Sequence, residues 1–156
     1  MSIEKVRDYF RKWNIEDRIQ EFDVSSATVE LAAKALNCEP ERIAKSIALK
    51  AGDGAILVVA AGDARIDNAK FKAKFGFKAK MLSPDETITM VGHAVGGVCP
   101  FAVNEGVKTY LDISLKRFKT VFPACGSSNS AIELTIDELE TCSCFEEWVD
   151  VCKDWE

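Results

Sequence analysis

The chain has 156 residues, of which 47% are hydrophobic and 29% charged, a composition typical of a soluble globular domain with a substantial core. No apolar run approaches the roughly 18 residues that a membrane-spanning helix needs, and the charged, amphipathic N-terminus lacks the core of a signal peptide. The net charge of −5 argues against non-specific nucleic-acid binding. We therefore expect one cytoplasmic domain over residues 1–156, without contact to a membrane.

The first half of the chain predicts short helices followed by a β-hairpin. Apolar spacing and capping residues predict a helix over 3–13 with Ser2 as its N-cap, a strand over 18–24, a helix from Thr28 to Asn37 and a helical turn from Pro40. Two strand-like runs, 44–51 and 55–61, then flank the turn Gly52-Asp53-Gly54. The second run is apolar on both faces, which is typical of a central strand.

The second half of the chain alternates predicted helices and strands. Helices are expected from Asp67 to Phe75, from the capping boxes at Ser83 and Thr135, and around Phe145, Trp148, Val149 and Cys152. Strands are expected over 108–113, 120–124 and 131–134, and a helical turn over 115–118. This mixture of strands and helices, with at least one hairpin, predicts an α/β domain built on a mixed sheet.

A glycine-rich stretch, V-G-H-A-V-G-G-V-C-P-F-A-V over 91–103, separates these elements. Its three glycines permit a backbone with positive φ, and Pro100 fixes its own φ. The stretch therefore predicts a loop rather than a helix or a plain strand. Such a loop serves either as a tight turn between core strands or as a cradle of N–H groups for an anion or a carbonyl oxygen.

Six cysteines raise the question of disulfides, metal binding or thiol catalysis. The chain has no C-x-x-C pair and one histidine, His93, so the spacing of a zinc site is missing. We expect reduced thiols, no metal and no cofactor. Cys99 and His93 flank the glycines and could form a nucleophile–base pair, with the alternative that Cys99 is a small apolar core residue.

Lys45 is the cation whose position is most unusual. In I-A-K-S-I-A-L-K it shares a strand face with Ile47 and Leu49, although lysine is seldom buried without a partner. It is either a positioned ammonium group for a carbonyl, carboxylate or phosphate, or a strand-end lysine that extends to water.

Charge is distributed unevenly along the chain. Six basic residues against one acid lie in the segment 65–80 (Arg65, Lys70, Lys72, Lys74, Lys78 and Lys80 against Asp67), and nine acids against Lys153 lie in 133–156. The basic segment is either a phosphate-binding surface or a solvated helix face.

Four segments in order carry a resemblance to a known family. They are I-A-K-S-I around Lys45, G-G-V-C-P-F over 96–101, K-T-Y-L-D-I-S-L over 108–115 and G-S-S-N-S-A-I-E-L-T over 126–135. Together they resemble the YbaK/prolyl-tRNA-synthetase-associated family of aminoacyl-tRNA deacylases over nearly the whole chain. The resemblance implies a single α/β domain whose mixed, partly curled β-sheet is surrounded by short helices.

The resemblance also implies the site. The essential lysine of the family falls on Lys45, and its G-x-x-x-P loop falls on Gly96, Gly97, Val98, Cys99 and Pro100. The residues expected to contact substrate are His93, Asp112, Ser127, Ser128, Asn129, Lys70, Lys72 and Lys74, with Lys116, Arg117 and Lys119 as further tRNA-facing candidates. Val95 and Ala102 stand where close relatives would carry proline and glycine.

The implied activity is hydrolysis of mischarged aminoacyl-tRNA in trans. The lysine would hold the ester carbonyl or the α-amino end of the substrate, and loop N–H groups would stabilise the oxyanion while water or the terminal 2′-hydroxyl attacks. A small amino acid such as alanine, serine or cysteine would be removed from a non-cognate tRNA, with tRNA-Pro one candidate. The implied partners are the 3′ CCA end of tRNA and an aminoacyl-tRNA synthetase. Two alternatives remain: a non-catalytic binding module for tRNA or a synthetase, and a Cys99/His93 thiol hydrolase.

Overall fold

The computed structural model describes residues 2–155. Its helices are α1 (Ser2–Phe10), α2 (Val29–Leu36), α3 (Asn68–Phe75), α4 (Pro84–Glu86) and α5 (Ile136–Ser143), with a π-helical turn over Thr87–Val91 and 3-10 turns over Arg11–Trp13, Glu16–Arg18, Pro40–Arg42 and Ile113–Arg117. Its strands are β1 (Gln20–Glu21), β2 (Ile43–Ala51), β3 (Gly54–Ala61), β4 (Arg65–Ile66), β5 (Lys108–Asp112), β6 (Thr120–Pro123), β7 (Ser130–Ala131), β8 (Leu134–Thr135), β9 (Trp148–Val149) and β10 (Cys152–Lys153). None of the helices between Ser2 and Trp155 has the length and apolar character that crossing a bilayer requires.

A curled mixed sheet organises the fold and confirms the predicted class. Its strand order is β8-β6-β2-β3-β5-β9. The β2–β3 hairpin is antiparallel, whereas β6 pairs in parallel with β2, and β5 in parallel with β3. The register places Lys45 opposite Ala60, one residue before the end of β3.

The core lies on both faces of β3, which confirms that 55–61 forms a central strand. From Ala55 to Ala61 every side chain is buried, and Leu57 to Ala61 have no exposed area. One face packs with the fully buried Phe10 of α1 and Phe71 of α3, which contribute large apolar areas. β2 therefore runs beside the most deeply buried strand of the protein.

Local capping explains where most helices begin and end. Thr28 accepts from the Leu31 N–H, and Asp67 accepts from two N–H groups of the first turn of α3. Capping boxes open α4 at Ser83 and α5 at Thr135, as the sequence predicts. Each such cap is worth about 1 kcal/mol.

Three sequence predictions differ from the structure in their details. Ser2 lies within α1, and its hydroxyl donates to the Gly92 carbonyl instead of capping the helix. The predicted strand over 18–24 is reduced to β1, and the run 131–134 is divided between β7 and β8, which pair with different strands.

The predicted helix around 145–152 is wrong. Trp148 and Val149 form β9 and pair in parallel with β5, while Cys152 begins β10 and pairs with β4. Between them the Val151 N–H donates to the buried carboxylate of Asp112 at 3.0 Å. The apolar residues have helical spacing, but hydrogen bonds to strand edges and to Asp112 hold this segment extended.

The full burial of Leu111 in β5 gives a stability prediction. Leu111 has no exposed area, so Leu111→Ala leaves a cavity and lowers the free energy of unfolding by about 3 kcal/mol in urea titrations. The same truncation at Leu31, which is 43% exposed, changes it by less than about 0.5 kcal/mol. Equal losses in the two variants would contradict this placement of the core.

Candidate functional site

A cavity of about 330 Å³ opens where β2, α2 and the glycine loop meet. Its wall is formed by the start of α2, one half of β2, the segment around Met81, the loop at 95–98, and residues at the ends of β6 and β7. Lys45 contributes to this wall together with Gly96 and Val98. The structure thus brings together across one cavity the lysine and the loop that the sequence singles out.

Small side chains form much of the cavity wall. The alanines and serines that line it are Ser26, Ala27, Ala32, Ala44, Ser46, Ala48, Ala124, Ser130 and Ala131. Met81 and Val95 also contribute to the wall, but they are 68% and 63% exposed, and they therefore lie at its mouth. The cavity accordingly has a mostly apolar interior, with two apolar side chains at its mouth.

Lys45 is held by a backbone carbonyl. Its half-buried side chain donates from Nζ to the Gly62 oxygen at 3.2 Å, the one hydrogen-bond acceptor that it has within residues 2–155. Burial lowers the pKa of the ammonium below its ordinary value, and the negative charge of Asp63 acts in the opposite direction. Lys45 therefore does not simply extend to water as a strand-end lysine.

The glycine loop is pinned onto the segment that follows β6. Gly96 has φ of +95°, a conformation that favours glycine. The Gly97 carbonyl accepts from the Gly126 N–H at 3.1 Å, and a Cβ at Gly97 would lie 2.6 Å from the Ser127 nitrogen. This close approach fixes the position of the loop. The N–H groups of Gly96 and Val98, both in cavity-lining residues, donate to no residue between 2 and 155.

Cys99, Pro100 and His93 lie in the protein interior and do not line the cavity. The His93 Nε2–H donates to the Phe101 carbonyl at 2.7 Å, so that nitrogen is no base for Cys99, whose sulfur lies 3.6 Å from it. Burial raises the pKa of the Cys99 thiol to about 12 and lowers the pKa of His93. This environment suits an apolar core cysteine and opposes a reactive thiolate.

Asp112 is fully buried and lies outside the cavity wall. Its two oxygens accept from the N–H groups of Ser114 and Val151, each at 3.0 Å. The carboxylate thus joins the end of β5 to the C-terminal segment, which is a structural arrangement.

Ser127, Ser128 and Asn129 support the cavity from outside its wall. The Ser127 hydroxyl donates to the Asn129 side-chain oxygen at 2.9 Å, and the Asn129 amide donates to the Phe22 carbonyl. The Ser128 carbonyl accepts from the N–H of Ser26, a wall residue, at 2.7 Å. The structure therefore places these residues behind the cavity wall.

The basic segment is partly neutralised by the acidic C-terminal part of the chain. Lys70 pairs with Asp150 at 3.1 Å, and Lys74 pairs with Glu147 at 2.6 Å. By contrast, none of the residues 2–155 forms an ion pair with Lys72, Lys78 or Lys80. Lys80 immediately precedes Met81, which lies at the cavity mouth.

Sequence reasoning missed the hydroxyl groups of the wall. The Thr28, Thr87, Ser26 and Ser130 hydroxyls all have partners in the protein. The Ser46 hydroxyl is buried and has no hydrogen-bond partner within residues 2–155. Leaving a buried hydroxyl without a hydrogen bond is energetically unfavourable. In the sequence, the one feature that could have drawn attention to Ser46 is that it directly follows Lys45 in β2. Within residues 2–155, no group of three His, Cys, Asp or Glu side chains is placed so that it could hold a metal ion.

The sequence profile of the aminoacyl-tRNA editing domain family matches residues 23–142. The chain belongs to this family. This membership confirms the resemblance drawn from the four motifs, and the matched range contains Lys45, the glycine loop and the rest of the cavity wall.

Individual relatives of this editing domain extend the comparison. The chain is 57% identical to YwhH of Bacillus subtilis (strain 168), described as uncharacterized, over the full length of both. It is 30% identical to the proline–tRNA ligase of Thermosipho melanesiensis over 125 residues, which are 80% of this chain but 22% of the ligase. A solved structure described as that of a proposed trans-editing enzyme for prolyl-tRNA synthetase matches with a TM-score of 0.87 over 97% of each chain, at 26% identity.

The burial of the thiols gives a prediction for their reactivity. With a thiol-specific disulfide reagent under native conditions, the exposed Cys144 reacts fast and the half-buried Cys38 slowly, because burial raises the pKa of Cys38. The four buried thiols react only after unfolding: Cys99, Cys125, Cys142 and Cys152. Cys144→Ser removes the fast phase, as seen by absorbance and peptide mass analysis. Fast native labelling of Cys99 would contradict its placement.

Proposed function

We propose that the protein hydrolyses the ester bond of mischarged aminoacyl-tRNA in trans. The amino acid removed is small, such as alanine, serine or cysteine, and tRNA-Pro is the first tRNA to test. The observation that carries the proposal is the cavity that Lys45, Gly96 and Val98 line together with many small residues. The similarity to part of the proline–tRNA ligases supports the choice of tRNA.

The proposed chemistry uses groups that are fixed before substrate arrives. The Lys45 ammonium holds the ester carbonyl oxygen, and the N–H groups of Gly96 and Val98 stabilise the negative charge that develops on it. Water, positioned by the neighbouring 2′-hydroxyl of the terminal adenosine, adds to the carbonyl carbon and gives up the proton that the departing ribose oxygen takes. The bond to the ribose oxygen then breaks, and that oxygen takes up a proton.

The single-stranded 3′ end approaches through the apolar mouth. Exposed Met81 and Val95 offer apolar surfaces for a base. Lys78 and Lys80 precede Met81 in the chain and form no ion pair within residues 2–155, which makes them candidates for phosphate contacts. Lys70 and Lys74 are less suited to this role, because acidic side chains already neutralise them. Arg117 is likewise engaged with Asp63.

Lys45→Ala tests the proposal directly. Loss of the ammonium lowers kcat/KM for alanyl-tRNA-Pro by about 100-fold or more, because a charged donor to the oxyanion is removed. The matched control is Lys50→Ala, which lies in the same strand, pairs with Glu86 at 3.1 Å and does not line the cavity. It changes kcat/KM by less than about twofold.

The same assay separates the two alternatives. A non-catalytic module shows no turnover in the wild type with any substrate of a mischarged-tRNA panel. A thiol hydrolase loses turnover in Cys99→Ala and keeps it in Lys45→Ala. We expect the reverse of the second pattern, since Cys99 is buried away from the cavity.

Val98→Ala tests whether the wall selects the amino acid by size. Removing two methyl groups from the wall admits a larger side chain, and kcat/KM for valyl-tRNA rises about tenfold relative to alanyl-tRNA. Val103→Ala, a half-buried valine outside the wall, is the control and leaves the ratio unchanged. An unchanged ratio in Val98→Ala would place amino-acid selection elsewhere.

A further inference from the structure

The carbonyl that holds Lys45 belongs to a tightly packed turn. Gly62 directly follows β3, and its oxygen accepts from the Lys45 ammonium at 3.2 Å. A Cβ at Gly62 would lie 2.0 Å from the Pro40 oxygen and 2.8 Å from a Val29 methyl group, so only glycine fits here. Because Val29 lines the cavity, this turn supports both the lysine and the opposite wall.

A planar ion pair holds the next residue of the turn. Asp63 accepts two hydrogen bonds from the Arg117 guanidinium, at 3.0 and 2.6 Å, and the two side chains are only 26% and 18% exposed. Arg117 also donates from Nε to the Ser114 carbonyl at 2.9 Å and lies over the rings of Phe118 and Trp155. Such a bidentate pair restricts the orientation of both side chains more than a singly bonded ion pair at the surface does.

A second contact fixes the residue before the turn. The Ala61 N–H donates to the Ser114 hydroxyl at 3.1 Å, and the Ala64 N–H closes the turn onto the Ala61 carbonyl at 3.0 Å. The 3-10 turn that carries Ser114 and Arg117 therefore contacts residues on both sides of Gly62. The carbonyl has little freedom to rotate away from Lys45.

We propose that Arg117 and Asp63 are positioning residues that fix the Gly62 carbonyl and, through it, the Lys45 ammonium at the cavity. Neither side chain lines the cavity. The effect on turnover rests on the proposed function, whereas the effect on Lys45 itself can be measured without any substrate.

The charges around Lys45 set the sign of each effect. The charged or titratable groups acting on it are Cys152 of β10, Asp63 of the turn, Arg65 of β4 and Glu30 of α2, in addition to burial. Neutralising Asp63 removes an attraction, so the pKa of Lys45 falls. Removing Arg117 frees the negative charge of Asp63, so the pKa of Lys45 rises.

The test is an NMR titration of the full chain labelled with ¹³C-lysine. The signal of Lys45 is assigned as the one that is missing from the spectrum of Lys45→Arg. Asp63→Asn lowers the midpoint of Lys45, and Arg117→Gln raises it, each by about half a pH unit. The double variant returns it close to the wild-type midpoint. Arg18→Gln breaks another two-bonded arginine–carboxylate pair, to Glu138, and leaves the midpoint unchanged.

Kinetics give a second reading with alanyl-tRNA-Pro, after subtraction of uncatalysed hydrolysis. Because the ammonium is the active form, turnover is lost as pH rises through the pKa of Lys45. The alkaline limb of the pH–rate profile therefore moves to lower pH in Asp63→Asn and to higher pH in Arg117→Gln. In both variants kcat falls by about tenfold, while KM changes little. Arg117→Lys keeps the charge without the fork, so it loses kcat while the limb stays near that of the wild type.

Thermal melting identifies any variant that fails to fold, and the remaining variants then decide the question. Shifts of the Lys45 midpoint in the same direction in Asp63→Asn and Arg117→Gln, or no shift in either, overturn the proposal. A shift of equal size in Arg18→Gln overturns it as well. Correct shifts without turnover in the wild type keep the positioning role and overturn the proposed function alone.

Discussion

The constraint on which the site depends is the placement of a positive charge beside the most buried strand of the protein. Taking an ammonium group partly out of water is unfavourable, and burial accordingly lowers the pKa of Lys45. The protein offsets this cost with one carbonyl and with the negative charge of Asp63, rather than with a direct ion pair. A direct carboxylate partner would hold the ammonium more firmly but would compete with a substrate oxygen for it.

Backbone close approach supplies the rigidity that this arrangement requires. Gly62 lies against Pro40, and Gly97 lies against Ser127, at distances that exclude a Cβ. Both contacts join segments that are far apart in sequence, and each lies next to residues that line the cavity. Donors fixed in this way need little reorganisation when charge develops on a substrate, which is where electrostatic catalysis gains most.

The sequence predicts features that local rules decide and misses those that distant partners decide. Caps at Thr28, Asp67, Ser83 and Thr135 locate helices correctly, because each cap bonds within its own turn. The segment 145–152 has helical apolar spacing and is nevertheless extended, because β5, β4 and Asp112 pair with it. Lys45 was detectable as a cation on an apolar face. The partnership of Gly62, Asp63 and Arg117 was not, since Arg117 lies 54 residues beyond Asp63. Ala102 adopts a left-handed φ of +53°, a backbone conformation that favours glycine. This explains why the resemblance leads one to expect glycine at this position.

The charge distribution bears on how such a protein would hold RNA. Acidic side chains neutralise Lys70 and Lys74, so the positive surface left near the cavity is small, and the net charge is −5. Few phosphate contacts mean weak binding with a shallow dependence on salt. Weak binding suits an enzyme that must sample many correctly charged tRNAs and release them unchanged. Under the proposed function, discrimination would then fall on the alanines and serines of the cavity wall, where a difference of one or two carbon atoms would decide whether Lys45 and the loop reach the ester carbonyl together.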